Sequence, residues 1–573
     1  MDKPLEQNTM EVIAQAKSRS TVCPDGLQAK DGIDEKAPSV RVDQESISKT
    51  NMEFDGQDGV KKIEAMTVVW TKPWLITAYV FVWVIFFVNS LQQQASFAWT
   101  PYVTSSFALH GLTAITGVVS NLVGGVSKLP LAKFIDVVGR PQGFLLMLIF
   151  TILALVLMVA CKNVQTFAAA QVFYWTGMNG IGYVLDVFIA DTSSMKNRAL
   201  LMAFTTTPYI SNTFAGPELG QRFLDDSTWR WGFGAFAIIT PIMCVPFWTI
   251  FVVMMRRAKR QNIIVKEKTG RTFLESAYYY LIEFDVIGLL LIVAGFSLVL
   301  LPFSLVSYQR EGWESPMIIC MLVFGFVSLG LFAAWEKYLA PKTFFPFHLL
   351  TNRSVLAACV VFQLSVSKAG YINNIFNIVS CAWGVIIAIA IRKFDRFKWA
   401  MLIAIPINIV MTGLLIHFRA AGSEIAALVV VEVFNGIAGG TLVICEQLTV
   451  MSAVPHEHVA VALALLDMVT SVGGSIGTAI SGAIWTNELP SKLMQYLPEE
   501  TKGNATLIYA SLVTQLEYEW GSPTREGIVK AYEGTQKLMV ITGAATLVPC
   551  CIWVLFIKNF RLSEHKQKGG LVL

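Results

Sequence analysis

The stretch "AKFIDVVGRPQG" (residues 132–143) sets an acid, a glycine and an arginine, Asp136, Gly139 and Arg140, after one long apolar run and before another. A second stretch, "AIRKFDRFKWA" (390–400), also sets an acid among basic residues between two apolar runs. Glycine permits a sharp chain reversal, and an acid and an arginine near helix ends can hold neighbouring helices in one arrangement. Both stretches read as the hinge between the second and third helices of a half-molecule, so the chain reads as two pseudo-symmetric helical halves.

Composition says what surrounds those helices. Of 573 residues, 54% are hydrophobic and 15% charged, and the mean hydropathy is +0.56. A water-soluble domain could not keep so much apolar surface hidden, so most of the chain is dissolved in lipid, as an all-α membrane protein. The net charge of +4 is small and dispersed, which excludes nucleic acid as a partner. Nine cysteines and six histidines fall at no metal-ligand or disulfide spacing, so no metal site and no cofactor is expected. No arrangement of nucleophile, base and oxyanion donors appears, and no phosphate loop, so the chain is not read as an enzyme. Residues 1–66, rich in Asp, Glu, Lys, Ser and Gln, read as a disordered tail.

Thirteen apolar runs, from Trp74 to Ile557, are long enough to cross a bilayer. A fourteenth, at 354–366 within "NRSVLAACVVFQLSVSKAGYINN" (352–374), is short. As a helix it would reach only about 20 Å against a hydrocarbon core of roughly 30 Å. Orientation argues that it crosses nonetheless. Basic clusters at Lys133 and Arg140, Lys196 and Arg198, 256–260, 337–353, 392–398 and the C-terminus share one face only with fourteen crossings. Lys and Arg in short loops are retained in the cytoplasm, so both termini are expected there. The polar segment 487–536 then faces outward, where Asn504 begins an N-glycosylation sequon. The expected division is a bundle at 67–260, two inserted helices with loops at 261–350, a second bundle at 351–558 and a tail at 559–573.

The hinge "AKFIDVVGR" resembles the signature of the major facilitator superfamily, with Ala132 where that family usually has glycine. With "FAGPELG" (214–220) and "WRWGFG" (229–234), it is similar to the fourteen-helix branch: a six-helix bundle, two inserted helices and another six-helix bundle. The strings "DVFIADTSSMKNRAL" (186–200), "YLIEFDVIGLLL" (280–291), "WEKYLAP" (335–341), "KAGYINNIFNIVSCAWG" (368–384) and "TSVGGSIGTAISGAIWTNELP" (470–490) together resemble the fungal siderophore-iron transporters. That resemblance implies import of ferric hydroxamate complexes by a monomer in the plasma membrane or a vesicle membrane, with protons as the coupling ion. It also implies a departure. Relatives carry about twenty more residues between the equivalents of Phe362 and Gln363, so the ninth helix reads as truncated, and this form as one whose activity is in question.

A ferric hydroxamate already encloses its metal, so the protein needs aromatic faces and neutral hydrogen-bonding groups rather than metal ligands. Candidates are Gln93, Trp99 and Tyr102 on and beyond the first span, Tyr174, Asn179 and Tyr183 on the fourth, Tyr209 and Asn212 on the fifth, and Tyr371 and Asn373 at the tenth. Proton coupling needs an acid inside the membrane, where an ionised carboxylate costs roughly 2.5–3.5 kcal/mol. Asp186 ranks first, one turn from Tyr183, followed by Glu446, Glu432 and Asp467. Asp191 and Asp285, at helix ends, read as caps. The rival reading is a proton-coupled drug exporter of the same branch, which would share the first hinge and "WRW" but lack the "KAGYINN" and "SGAIWTNELP" strings.

Overall fold

The computed structural model describes residues 69–106, 122–261, 285–306, 311–340, 373–418, 425–455, 458–510 and 517–564, with a few residues between. The tail at 1–66, Tyr371 and nearly all of the short ninth segment lie outside the described residues. Among the described residues every regular element is helical.

The first half comprises α1 (Lys72–Ser106), α2 (Lys128–Val137), α3 (Arg140–Ala160), α4 (Val164–Thr192), α5 (Met195–Thr206), α6 (Pro208–Asp226) and α7 (Trp229–Arg260). Two further helices, α8 (Val286–Leu305) and α9 (Pro316–Ala334), follow. The second half comprises α10 (Asn373–Phe394), α11 (Lys398–Phe418), α12 (Ile425–Ser452), α13 (Val459–Tyr496), α14 (Pro523–Leu547) and α15 (Cys550–Phe556). With α5–α6 and α14–α15 each taken as one path, thirteen of the expected crossings are represented. Of the fourteenth only Ser354 is described, buried, its hydroxyl accepting from the Lys558 amide at 3.0 Å.

Ten described helical stretches are long and apolar enough to cross a membrane. The second, fourth and fifth crossings, α2, α4 and α5–α6, are not among them: α2 and α5 have only 10 and 12 residues, and Asn179, Asp186 and Asp191 in α4 and Asn212 in α6 interrupt the apolar surface. The fifth crossing, read from sequence as one run, breaks between Thr207 and Pro208, since proline has no amide hydrogen to continue the ladder. Pro549 separates α14 from α15 in the same way.

Packing inside the first half is aromatic. Phe247 and Phe251, one turn apart on α7, meet at 4.8 Å and both press edgewise on Phe188 of α4 at 5.4 Å. Arg230 of the "WRW" string stacks on Trp229 at 4.3 Å and donates to the carbonyls of Val159 and Cys161. It thereby satisfies acceptors left open at the end of α3.

The halves meet along two seams, α2 with α13 and α5–α6 with α10, and α8 leans on α13. At the first seam a Cβ built on Gly125 would lie 2.0 Å from the Ser471 Cβ, so only glycine allows this approach. With 38 residues, α13 is about 57 Å long and outruns the bilayer. Its far end packs Leu489, Leu493 and Leu497 against Ala505, Ile508, Ile528 and Ala531 in a separate small core. The polar segment 487–536 is therefore largely helical. Asn504 stands exposed there, at the start of the short helix Ala505–Ala510.

Candidate functional site

The hinge forms a three-helix clamp. Gly139 adopts φ +131°, the region that favours glycine, and turns the chain so that Arg140 opens α3 facing back toward α2. The Arg140 guanidinium, 3% exposed, donates to the Asp136 carboxylate at 2.8 Å, to Asp191 of α4 at 3.3 Å and to the Ile135 carbonyl at 2.9 Å. Asp191, expected to cap a helix, is instead the third member of this cluster. Nearby, buried Arg198 donates to the carbonyls of Ala190 and Ser193, closing the end of α4. Asp285 does cap, its carboxylate accepting from Gly288 N and from the Trp335 indole at 2.7 Å, which ties α8 to the end of α9.

Between the halves lies a charge triad. Lys128 of α2 donates to Asp467 of α13 at 2.9 Å, with side chains 14% and 26% exposed. Asp186 of α4 is in the electrostatic field of both. One cation is thus set among two acids from opposite halves, partly buried, where the local dielectric is low and the coupling strong. One turn from Asp186, the Tyr183 hydroxyl donates to the Ala460 carbonyl of α13 at 2.6 Å. Tyr183, expected in the substrate cavity, is 1% exposed and serves this inter-half contact in the arrangement seen here.

The polar residues of α1 and α6 converge toward the other end. Tyr209 donates to Gln93 Oε1 at 2.8 Å, both partly exposed, and Tyr209 lies beside Cys381 of α10 across the seam. Asn212 is fully buried, donating to the Phe87 carbonyl at 2.7 Å and the Ser90 hydroxyl at 2.6 Å, so it fastens α6 to α1. Gln92 is fully buried with neither amide atom partnered among the described residues. Asn179 is partly exposed on α4, against Gly124 in the helical turn just before α2. Tyr174 is buried facing Ser96.

Trp99 corrects an expectation. It is fully enclosed, its indole donates to the Gly220 carbonyl at 2.9 Å, and its ring meets Phe233 at 5.0 Å and Phe223 at 5.8 Å. With every face covered and its one donor satisfied, it holds α1 on α6 and α7 and offers nothing to a ligand. The side chains of Tyr102 and Asn373 lie outside the described residues.

The remaining acids sit in the second half. Glu446 of α12 is fully buried with neither oxygen hydrogen-bonded among the described residues, near Cys550 of α15. Glu432 is buried nearer the other end of α12. No group of His, Cys, Asp and Glu able to hold a metal ion occurs among the described residues.

This architecture matches known proteins. The family model of the Major Facilitator Superfamily fits residues 82–478. "MFS siderochrome iron transporter 1" of Ajellomyces capsulatus is 44% identical, over 95% of this chain and 96% of its own length. "Siderophore iron transporter mirB" of Emericella nidulans is 39% identical over 90% and 89%, and "MFS siderochrome iron transporter D" of Aspergillus fumigatus 38% identical over 90% and 90%. The chain belongs to the siderophore-iron transporter family of the major facilitator superfamily. The α2–α13 seam is one place where the two halves of this chain meet. The member of that seam hidden from sequence reasoning is Lys128. Its signal is a lone lysine inside the second apolar run, four residues before the hinge begins.

Proposed function

We propose that this chain imports ferric hydroxamate siderophores by alternating access, with proton entry as the driving force. The observation that carries the coupling is the Lys128–Asp467 ion pair with Asp186 in its field. With Asp186 ionised, two carboxylates in opposite halves compete for one ammonium, and the inter-half pair weakens. With Asp186 protonated, Lys128 belongs to Asp467 and the halves are clasped. A proton falling through 100 mV supplies about 2.3 kcal/mol, enough to bias such a two-state seam roughly fiftyfold.

The substrate is an amphipathic, metal-enclosing complex, and the Gln93–Tyr209 pair with Asn179 supplies neutral donors and an aromatic face for it at the inter-half space. The basic end of the bundle, from Arg140 to Lys398, is cytoplasmic by the retention of positive charge, and Asn504 is extracellular. The protein works as a monomer in the plasma membrane or a vesicle membrane.

Uptake of iron-loaded hydroxamate siderophore into cells lacking their own transporters tests this reading. It is run beside a version with a full-length ninth helix, since that segment is the family departure. Iron accumulation by either form supports the reading; accumulation by the extended form alone assigns this chain as an inactive variant. Uptake by neither form overturns it.

A further inference from the structure

At the basic end, between the halves, opens a cleft of about 420 Å³ lined by Ser194, Lys196 and Asn197 at the start of α5 and by Ile389, Arg392 and Lys393 at the end of α10. Its volume is within the range of small-ligand sites, roughly 300–1,000 Å³. None of its three cations forms an ion pair or hydrogen bond with another described residue. The acid of the same loop, Asp395, is turned away, accepting from the Ser563 amide at 2.9 Å and from the Ser563 hydroxyl. Three like charges from two half-molecules thus converge on one space whose lining, among the described residues, contributes no anion. Ser194 and Asn197 add neutral donors.

We propose that this cleft binds a phosphate-bearing anion that bridges the two halves. Lys and Arg would hold the charge, Arg392 with a fork suited to phosphate oxygens. An anion touching both α5 and α10 favours the arrangement in which they are close. The surroundings favour a phosphorylated lipid headgroup as the source. Ile386 and Ile389, each 53% exposed and one turn apart on α10, carry an apolar strip from the cleft toward the bilayer. Phe394, 62% exposed, stacks edgewise on Trp399 at 5.6 Å beside it, an aromatic pair suited to the headgroup level. This site does not depend on what the chain transports.

The test uses the purified full chain with three probes: a short-chain phosphorylated inositol lipid, its water-soluble inositol phosphate, and short-chain phosphatidylcholine. Native mass spectrometry counts bound probe, and thermal shift reports stabilisation. The phosphorylated lipid is expected to bind and stabilise. Each cation near a membrane anion is worth about fivefold in affinity, so the triple variant Lys196→Gln, Arg392→Gln, Lys393→Gln is expected to lose roughly a hundredfold. The control Lys259→Gln, Arg260→Gln removes charge from the end of α7 and is expected to bind as wild type. Equal binding of lipid and free inositol phosphate would keep the site and assign it a soluble ligand. Undiminished binding by the triple variant, or phosphatidylcholine binding as tightly as the phosphorylated lipid, overturns the proposal.

Discussion

Lys128 of α2 and Asp467 of α13, 339 residues apart in sequence, form an ion pair across the seam between the halves at 2.9 Å. Removing either charge leaves the other partly buried without its partner. Full burial would make that cost about 3–5 kcal/mol, and the partial exposure of both groups reduces it. Lys128→Gln and Asp467→Asn are each expected to lower siderophore accumulation on the order of tenfold. The charge-swapped pair Lys128→Asp, Asp467→Lys is expected to recover much of it. A swap no better than the single variants would show that the pair is not the functional contact.

Arg140 is the centre of the hinge clamp, and its loss removes the cation paired with Asp136 and one of the partners of Asp191, both buried. Arg140→Ala is expected to cost about 3–5 kcal/mol, read as a fall in melting temperature of the detergent-purified protein. Arg140→Lys is expected to fall between, because an ammonium lacks the fork that reaches two carboxylates and a carbonyl together.

Tyr209 offers its hydroxyl to Gln93 in the inter-half space. Tyr209→Phe is expected to raise the KM for ferric siderophore about fivefold, the loss of one hydrogen bond of roughly 1 kcal/mol. The melting temperature is expected to stay close to wild type. A variant with unchanged KM would remove Tyr209 from the substrate site.

Gly125 faces Ser471 with no room for a methyl group. Gly125→Ala is expected to hold α2 and α13 apart and slow transport severalfold, while Ser471→Gly in the same chain opens that space and restores the rate. Rescue by the second substitution distinguishes a seam defect from general misfolding.

The helices were legible because lipid imposes a simple rule: apolar runs of fixed length, with basic residues retained at one end. Asp136, Gly139 and Arg140 were legible because they act within a few residues of one another. Lys128–Asp467 and Arg140–Asp191 were not, since no local pattern records which distant acid a buried cation meets. Trp99 was misplaced for a related reason. An aromatic residue near a helix end reads alike whether it faces a cavity or packs against Phe233, and only the fold decides. The break at Pro208 was visible as a proline, but its cost to helix continuity depends on the neighbours that satisfy the freed carbonyls.

The central claim is that Asp186 carries the proton that drives siderophore accumulation. Its most direct test is uptake of iron-loaded hydroxamate siderophore by energised vesicles holding wild type or Asp186→Asn, with the lumen alkaline to the outside. Wild type is expected to concentrate the complex inside and to lose that ability when a protonophore collapses the gradient. Asp186→Asn is expected to bind the complex and let it equilibrate without concentrating it, with or without protonophore. Undiminished, gradient-dependent accumulation by Asp186→Asn would contradict the account.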